Sequence, residues 1–306
     1  MTRSSKGPRR IAIAGASGFV GSALARHLEG LGHAVIRIGR HEDPRHGNIQ
    51  WDPDGGQMDT TALAGVRIVI NLAGASIAQR WTPERRQRIL DSRVRTTDLL
   101  AKACAELDPR PRVLVSQSAV GFYGNRGDEE LDESSVGGTG FLPDVVRAWE
   151  SAADPARAVG IRVVHPRGGL VLHPSGGILE RLLPIFRLAA GGTIGSGEQW
   201  MSWISRTDVV RALAWVALHD SLEGPVIVAT PNPVRNAEFT AALARAVRRP
   251  AIAQVPAFAV RFMFGEMGEE TLLAGQRVVP RLLEESGFEF EYPLLDPALA
   301  HELNSP

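Results

Sequence analysis

Residues 15–21, GASGFVG, constrain the fold more than any other stretch of the chain. They follow a short apolar run, RIAIA, and open a helix-periodic segment, FVGSALARHLEGLG, that ends on glycine. Glycines at 15, 18 and 21 leave room for backbone N–H groups to approach a pyrophosphate, and a helix N-terminus adds positive potential there. The spacing alone specifies no more than a tight turn. With a strand before it and a helix behind it, it reads as a dinucleotide site contacted by Gly15, Ser17, Gly18, Phe19, Val20 and Gly21.

The rest of the chain alternates in the same way. HAVIRIGR, VRIVINLAG, PRVLVSQSAV and IRVVHPRGGLVL read as strands, separated by a Pro/Gly/Asp-rich loop and by long helical segments such as PERRQRILDSRVRTTDLLAKACAEL. Strands alternating with helices of this length predict an α/β protein with a doubly wound parallel sheet, a Rossmann fold. Residues 1–9 are expected to be a flexible tail, 10–230 the dinucleotide-binding domain and 231–306 a smaller C-terminal substrate lobe. The glycine-rich turns within 173–205 are expected to contribute to that lobe.

Composition narrows the class. The 306 residues are 44% hydrophobic and 22% charged with a formal net charge of zero, so no bulk charge draws the chain to nucleic acid or an anionic membrane. A basic start followed by apolar residues imitates a signal peptide, but the glycines break the run, and no apolar stretch reaches the roughly 18 residues of a span. The single cysteine, Cys104, sits on an apolar-periodic stretch and reads as a core residue. A chain with no intrachain disulfide suits a cytoplasmic setting.

Two further stretches extend the dinucleotide reading. The second strand ends in Gly39-Arg40, without the acidic side chain that grips a ribose 2′-hydroxyl. An arginine there accommodates a 2′-phosphate, which favours NADP(H) over NAD(H). Leu72, Ala73 and Gly74 close the next strand with small backbone-exposing residues along which a dinucleotide can lie.

GASGFVG, NLAG and SQSAVGFYG, in this order, resemble the extended, epimerase-type branch of the short-chain dehydrogenase/reductase superfamily. The stretch QRW…SRV…T from Gln79, together with GGTIGSGEQWMSWI, ATPNPVRNAEFT and GQRVVPRLLEESGFEFEYP, is similar to its atypical "epimerase family protein" subgroup. The resemblance spans residues 10 to 299 and implies a C-terminal family domain of unknown function over about 250–299.

That resemblance implies a serine, matched by Ser118, and a Tyr-x-x-x-Lys pair in which the phenol is the acid/base and the lysine lowers its pKa. The pair is absent. The tyrosines are Tyr123 and Tyr292, and four residues beyond them stand Gly127 and Asp296. With Trp149-Glu150 marking the register, Leu142 and Val146 take the two places, and Arg147 points about 100° away around the helix. Ser118 and Tyr123 remain as candidate catalytic groups, although an unassisted phenol is a poor base and a loop anchor is the favoured reading of Tyr123.

The resemblance also places Arg93 and Pro166 beside the cofactor, with Pro166 ending its strand. Trp51 reads equally as an adenine stack or a core residue. Gln199, Trp200 and Trp203 offer an amide and aromatic walls to a substrate, or else form the core that joins two lobes. The subgroup's histidine after the second tryptophan is replaced by Ser205. No metal site is expected: DEELDE reads as a solvated acidic loop, and His41, Asp43 and His46 lack ligand spacing. A serine-hydrolase elbow is absent. Two functions stand: an NADP-dependent oxidoreductase or epimerase-like enzyme for a small carbonyl or sugar-like substrate, or a non-catalytic NADP(H)-binding regulator. A homodimer is the assembly kept open, with neither nucleic acid nor membrane as partner.

Overall fold

The computed structural model describes residues 7–41 and 48–304. Most of the expected tail, and with it Asp43 and His46, therefore lies outside the described residues. Strand β1 (Arg10–Ala14) leads through the glycine turn into helix α1 (Phe19–Gly30), then β2 (Ala34–Gly39), β3 (Asn48–Asp52) and β4 (Gln57–Met58). Strand β5 (Ile68–Asn71), helix α2 (Pro83–Glu106), β6 (Val113–Ser116), the short β7 (Ser118–Ala119) and α3 (Phe141–Ser151) follow.

The sheet runs Gly224–Val228, Arg162–Gly168, β6, β5, β1, β2, β3, all parallel, with β4 added antiparallel at the edge. The Pro/Gly/Asp-rich loop expected between β2 and β5 thus contains an edge hairpin, in which Ile49 and Trp51 alternate inward. Trp51 is a core residue, packed with Ile38, Leu63 and Val69.

Central strands are buried on both faces, which is why their sequences are apolar without alternation. Side chains of β1 divide between two cores. Ile11 and Ile13 meet Leu24, Ala25 and Leu28 of α1 and the helix Arg206–Leu218 on one face. Ala12 and Ala14 meet Leu100, Ala101 and Cys104 of α2 on the other. Burial pushes the Cys104 thiol up to about 12, so it is an inert core group.

The expected strand IRVVHPRGGLVL is two strands, Arg162–Gly168 in the main sheet and Leu170–His173 paired with Trp203–Ser205. Pro166 lies inside the first of these, two residues before its end, which corrects the expectation that it terminates the strand. The ladder to β6 stops at Val164 and the ladder to β7 starts at Arg167, so Pro166 falls in the gap where a missing N–H costs nothing. A third core, built from Leu172, Leu183, Phe186, Trp203, Phe239, Leu243 and Leu299, supports the smaller C-terminal region.

Candidate functional site

The order of strands reverses at β1, whose neighbours β2 and β5 connect in opposite directions and leave a crevice beyond their carboxyl ends. Each glycine of the turn has its own steric reason. Gly15 adopts φ +79°, and a Cβ there would lie 2.9 Å from the Leu72 carbonyl carbon. A Cβ on Gly21 would lie 2.1 Å from the Gly15 carbonyl oxygen, so only a glycine lets α1 sit this close behind the turn. Gly18 caps α1 without a side-chain hydrogen bond, and its own N–H bonds the Gly15 carbonyl at 3.0 Å. The first-turn N–H groups of α1 are thereby left for a ligand, and Ser17 and Gly18 are exposed. Phe19 lies under Gly176 and Gly177, where an added Cβ on Gly176 would meet its ring at 2.4 Å.

The second wall is the loop after β5. Asn71 is fully buried, donates to Thr97 Oγ1 at 3.0 Å and accepts from the Ala73 N–H at 3.1 Å, which fixes the path of Leu72, Ala73 and Gly74. Trp149 of α3 donates to the same Thr97 hydroxyl at 3.1 Å. Arg93 of α2 reaches up behind the loop: its Nη1 donates to the Ala75 and Ile89 carbonyls, both at 3.1 Å, and its guanidinium lies 5.0 Å from the Trp149 ring centre. Burial pushes the Arg93 guanidinium down to about 10. At the far end of the crevice Gly39 ends β2 and Arg40 follows it, exposed.

The α3 side is organised differently. Ser118 Oγ donates to Glu150 Oε1 at 2.6 Å, and Arg167 grips both oxygens of Glu150 at 2.9 Å. Arg167 also donates to the Tyr123 hydroxyl at 3.0 Å and stacks 3.6 Å from the Phe122 ring centre. Tyr123 in turn donates to the Asp132 carbonyl at 3.0 Å and is wholly buried. Burial opposes the charge on Glu150, but the bonds from Arg167 and Ser118 outweigh it and hold the carboxyl below its usual range. Burial pushes the Tyr123 phenol up to about 12, with Arg167 only partly offsetting it. Both hydroxyls put forward as catalytic groups are therefore engaged inside the protein.

On α3 itself Val146 is buried and Leu142 half-buried, in the two places the register assigns to the dyad. Arg147 is turned to the surface, bonded to Asp144 and the Gly138 carbonyl. The first turn of α3 is capped from far along the chain: the Glu270 carboxylate accepts from the Phe141 N–H at 2.9 Å and the Leu142 N–H at 2.8 Å. Gly140, at φ +120°, makes room, since a Cβ there would lie 2.9 Å from Glu270 Oε1.

The three expected substrate contacts separate. Trp203 is wholly buried in the third core with its indole N–H on the Asn232 carbonyl. Trp200 lies between Arg235 and Arg277, at 4.2 and 5.0 Å, and donates to Asp128. Gln199 spends its amide N–H groups on the Ile194 and Leu272 carbonyls. Ser205 caps the helix Arg206–Leu218, accepting from the Asp208 N–H.

The Glu150–Arg167 pair, Asn71 with Thr97, and Glu270 were not singled out in the sequence. Glu150 and Arg167 flank residues that were, but their partnership spans 17 positions with no motif to announce it. Among the described residues no cluster of His, Cys, Asp and Glu is arranged to hold a metal, and no helix is long and apolar enough to cross a membrane.

A glycine-turned crevice at the switch point of a parallel sheet defines a dinucleotide-binding protein of the Rossmann type. Residues 11–229 match the NAD dependent epimerase/dehydratase family, and residues 255–302 match a domain of unknown function. The chain belongs to the NAD dependent epimerase/dehydratase family. It is 44% identical over 297 residues to an epimerase family protein of Mycobacterium bovis, covering 97% of this chain and 98% of the relative. The crystal structure of human epimerase family protein SDR39U1 (isoform 2) with NADPH superimposes with a TM-score of 0.87 at 33% identity, covering 96% of this chain and 98% of that one. A structure named as the nucleoside-diphosphate sugar epimerase from Corynebacterium glutamicum matches at 36% identity with a TM-score of 0.80, covering 97% of this chain and 58% of that one.

Proposed function

We propose that the protein is an NADP(H)-dependent oxidoreductase or epimerase-like enzyme acting on a small carbonyl or sugar-like substrate. The observation that carries this reading is the crevice between the glycine turn and the Leu72–Ala73–Gly74 loop, where glycines are required by contact and α1 presents uncapped N–H groups. The diphosphate would rest on residues 17–21 and the loop after β5 would lie along the nicotinamide half. Arg40, exposed at the end of β2, suits a 2′-phosphate, and the human relative holds NADPH. When bound, the cofactor supplies the hydride chemistry, and the chain supplies orientation and electrostatics.

A second reading, a non-catalytic NADP(H)-binding regulator, is favoured by one specific observation. Ser118 and Tyr123 donate their hydroxyl protons to Glu150 and the Asp132 carbonyl, which leaves neither with a free proton to give a substrate. Fluorescence titration with NADPH and NADH, alongside Arg40→Ala, tests the cofactor assignment. NADPH-selective binding that weakens about tenfold in the variant supports it; equal affinity for both cofactors in both proteins overturns the NADP preference. A cofactor oxidation screen over small aldehydes, ketones and sugar nucleotides then separates enzyme from regulator.

A further inference from the structure

We infer that the α3 side of the crevice takes an uncharged carbonyl compound with an apolar alkyl or aryl body, and not a sugar nucleotide. The inference rests on the cofactor reading above and narrows the substrate class of that same site.

The lining begins at the first turn of α3. Leu142 and Val146 offer only carbon at the two places that the register assigns to the dyad. Leu142 is half-buried beside Gly121, where an added Cβ would lie 3.6 Å from its own Cβ. Phe141, the residue before it, meets Trp81 edge-on, with ring centres 4.8 Å apart. Trp81 lies on the segment that runs from Gly74 to α2, so the two rings continue the second wall of the crevice outward. Its neighbour Arg80 donates through Nη1 to the Phe262 carbonyl at 2.8 Å and the Met263 carbonyl at 3.3 Å. Those bonds hold the helix Ala257–Phe264 against the same segment. There the Phe262 side chain is 82% exposed and Met263 49%. A large aromatic left in water beside a lined crevice is the mark of a surface that meets an apolar ligand.

The polar groups that border this lining are already engaged. The Trp81 indole N–H donates to the Ile77 carbonyl at 2.9 Å. Arg86 lies 4.3 Å over the Phe141 ring and is paired with Glu266, and Arg80 is held by the two carbonyls of the neighbouring helix. Ser118 and Tyr123 give their protons to Glu150 and the Asp132 carbonyl. A sugar nucleotide asks for cations to meet its diphosphate and for a partner at each hydroxyl, and every one left unmet on entering the crevice costs binding. An alkyl or aryl body makes no such demand and gains with each methylene it buries.

The test uses ligands that bind without reacting. Once NADPH binding has been measured, straight-chain primary amides from propanamide to octanamide, uncharged analogues of the aldehydes, are titrated into the NADPH complex beside UDP-glucose. Tryptophan fluorescence reads both. Amide affinity is expected to rise about fourfold with each added methylene, and UDP-glucose to bind at least about tenfold more weakly than octanamide. Leu142→Asn should weaken every amide about tenfold, whereas Phe262→Ser, at the rim, should weaken octanamide about fivefold and propanamide less than about twofold. Affinity that does not depend on chain length, or UDP-glucose binding more tightly than octanamide, overturns the inference. Should Leu142→Asn fail to fold, Phe262→Ser decides, since its side chain stands in water: octanamide affinity equal to wild type refutes the apolar rim. If NADPH binds and no amide does, the substrate class is wrong and the cofactor reading stands. If NADPH itself does not bind, the cofactor reading has failed and the inference falls with it.

Discussion

The two walls of the crevice are built from opposite materials. On the β1–α1 side the groups offered to a ligand are backbone N–H groups, exposed because glycines permit the turn and no side chain caps the helix. On the α3 side nearly every polar group is already answered: Ser118 by Glu150, Glu150 by Arg167, Arg167 by Tyr123, and Tyr123 by the Asp132 carbonyl. A surface prepared for a ligand keeps hydrogen-bonding capacity in reserve, whereas one prepared for rigidity consumes it internally. By that standard the glycine turn keeps its capacity in reserve, and the Ser118–Tyr123 network serves as a brace.

Adding one methyl group to the open wall should do more damage than deleting a hydroxyl from the braced one. Gly21→Ala drives a Cβ into the Gly15 carbonyl, so NADPH affinity is expected to fall at least about 100-fold in titration. Glu150→Ala strands the buried Arg167 and is expected to cost about 3–5 kcal/mol in denaturant unfolding. A loss below about 1 kcal/mol would break the comparison, because the network would then not be a brace.

Next in size is the pH dependence of stability. His165 and His173 are buried, and burial first, with nearby arginines assisting, lowers both from 6.5 to about 4. His165 faces Arg157, Glu150 and Arg167; His173 faces Ser175, Glu302, Arg206 and His301. Below pH 6.5 the unfolded chain takes up protons that the folded one refuses. Stability is therefore full above pH 6.5 and is lost as pH falls towards 4, by up to about 3 kcal/mol per histidine. Unfolding curves between pH 4 and 7 check this, and His165→Gln should flatten the slope.

The smallest effect sharpens the comparison most. Tyr123→Phe removes one hydroxyl from the brace and is expected to cost about 1 kcal/mol with NADPH affinity unchanged. Once a substrate is found, a collapse in turnover without a matching loss of stability would move Tyr123 from the brace to the chemistry.

The same contrast decides what the sequence reveals. Backbone-built features are legible because their requirement is local: Gly15, Gly18 and Gly21 answer to one turn, and the apolar β1, β5 and β6 answer to burial on both faces. Side-chain features depend on partners that sequence distance conceals. Trp200 and Trp203 stand three apart in successive short strands, yet one lies against Arg235 and Arg277 and the other vanishes into a core with Phe239 and Leu299. The hairpin of β3 and β4 escaped notice because its inward Ile49 and Trp51 are too few to give a period against a turn-rich background. Pro166 reads as a strand end because a ladder gap two residues wide leaves no trace in composition.

Glu270 ties the first turn of α3 to a segment nearly 130 positions away, so that turn has no complete set of hydrogen bonds of its own. The first turn of α3 and the seating of the C-terminal region are thus one event. Hydrogen exchange at the Phe141 and Leu142 amides becomes a gauge of that seating: two protons on α3 that count how often the far end of the chain lets go.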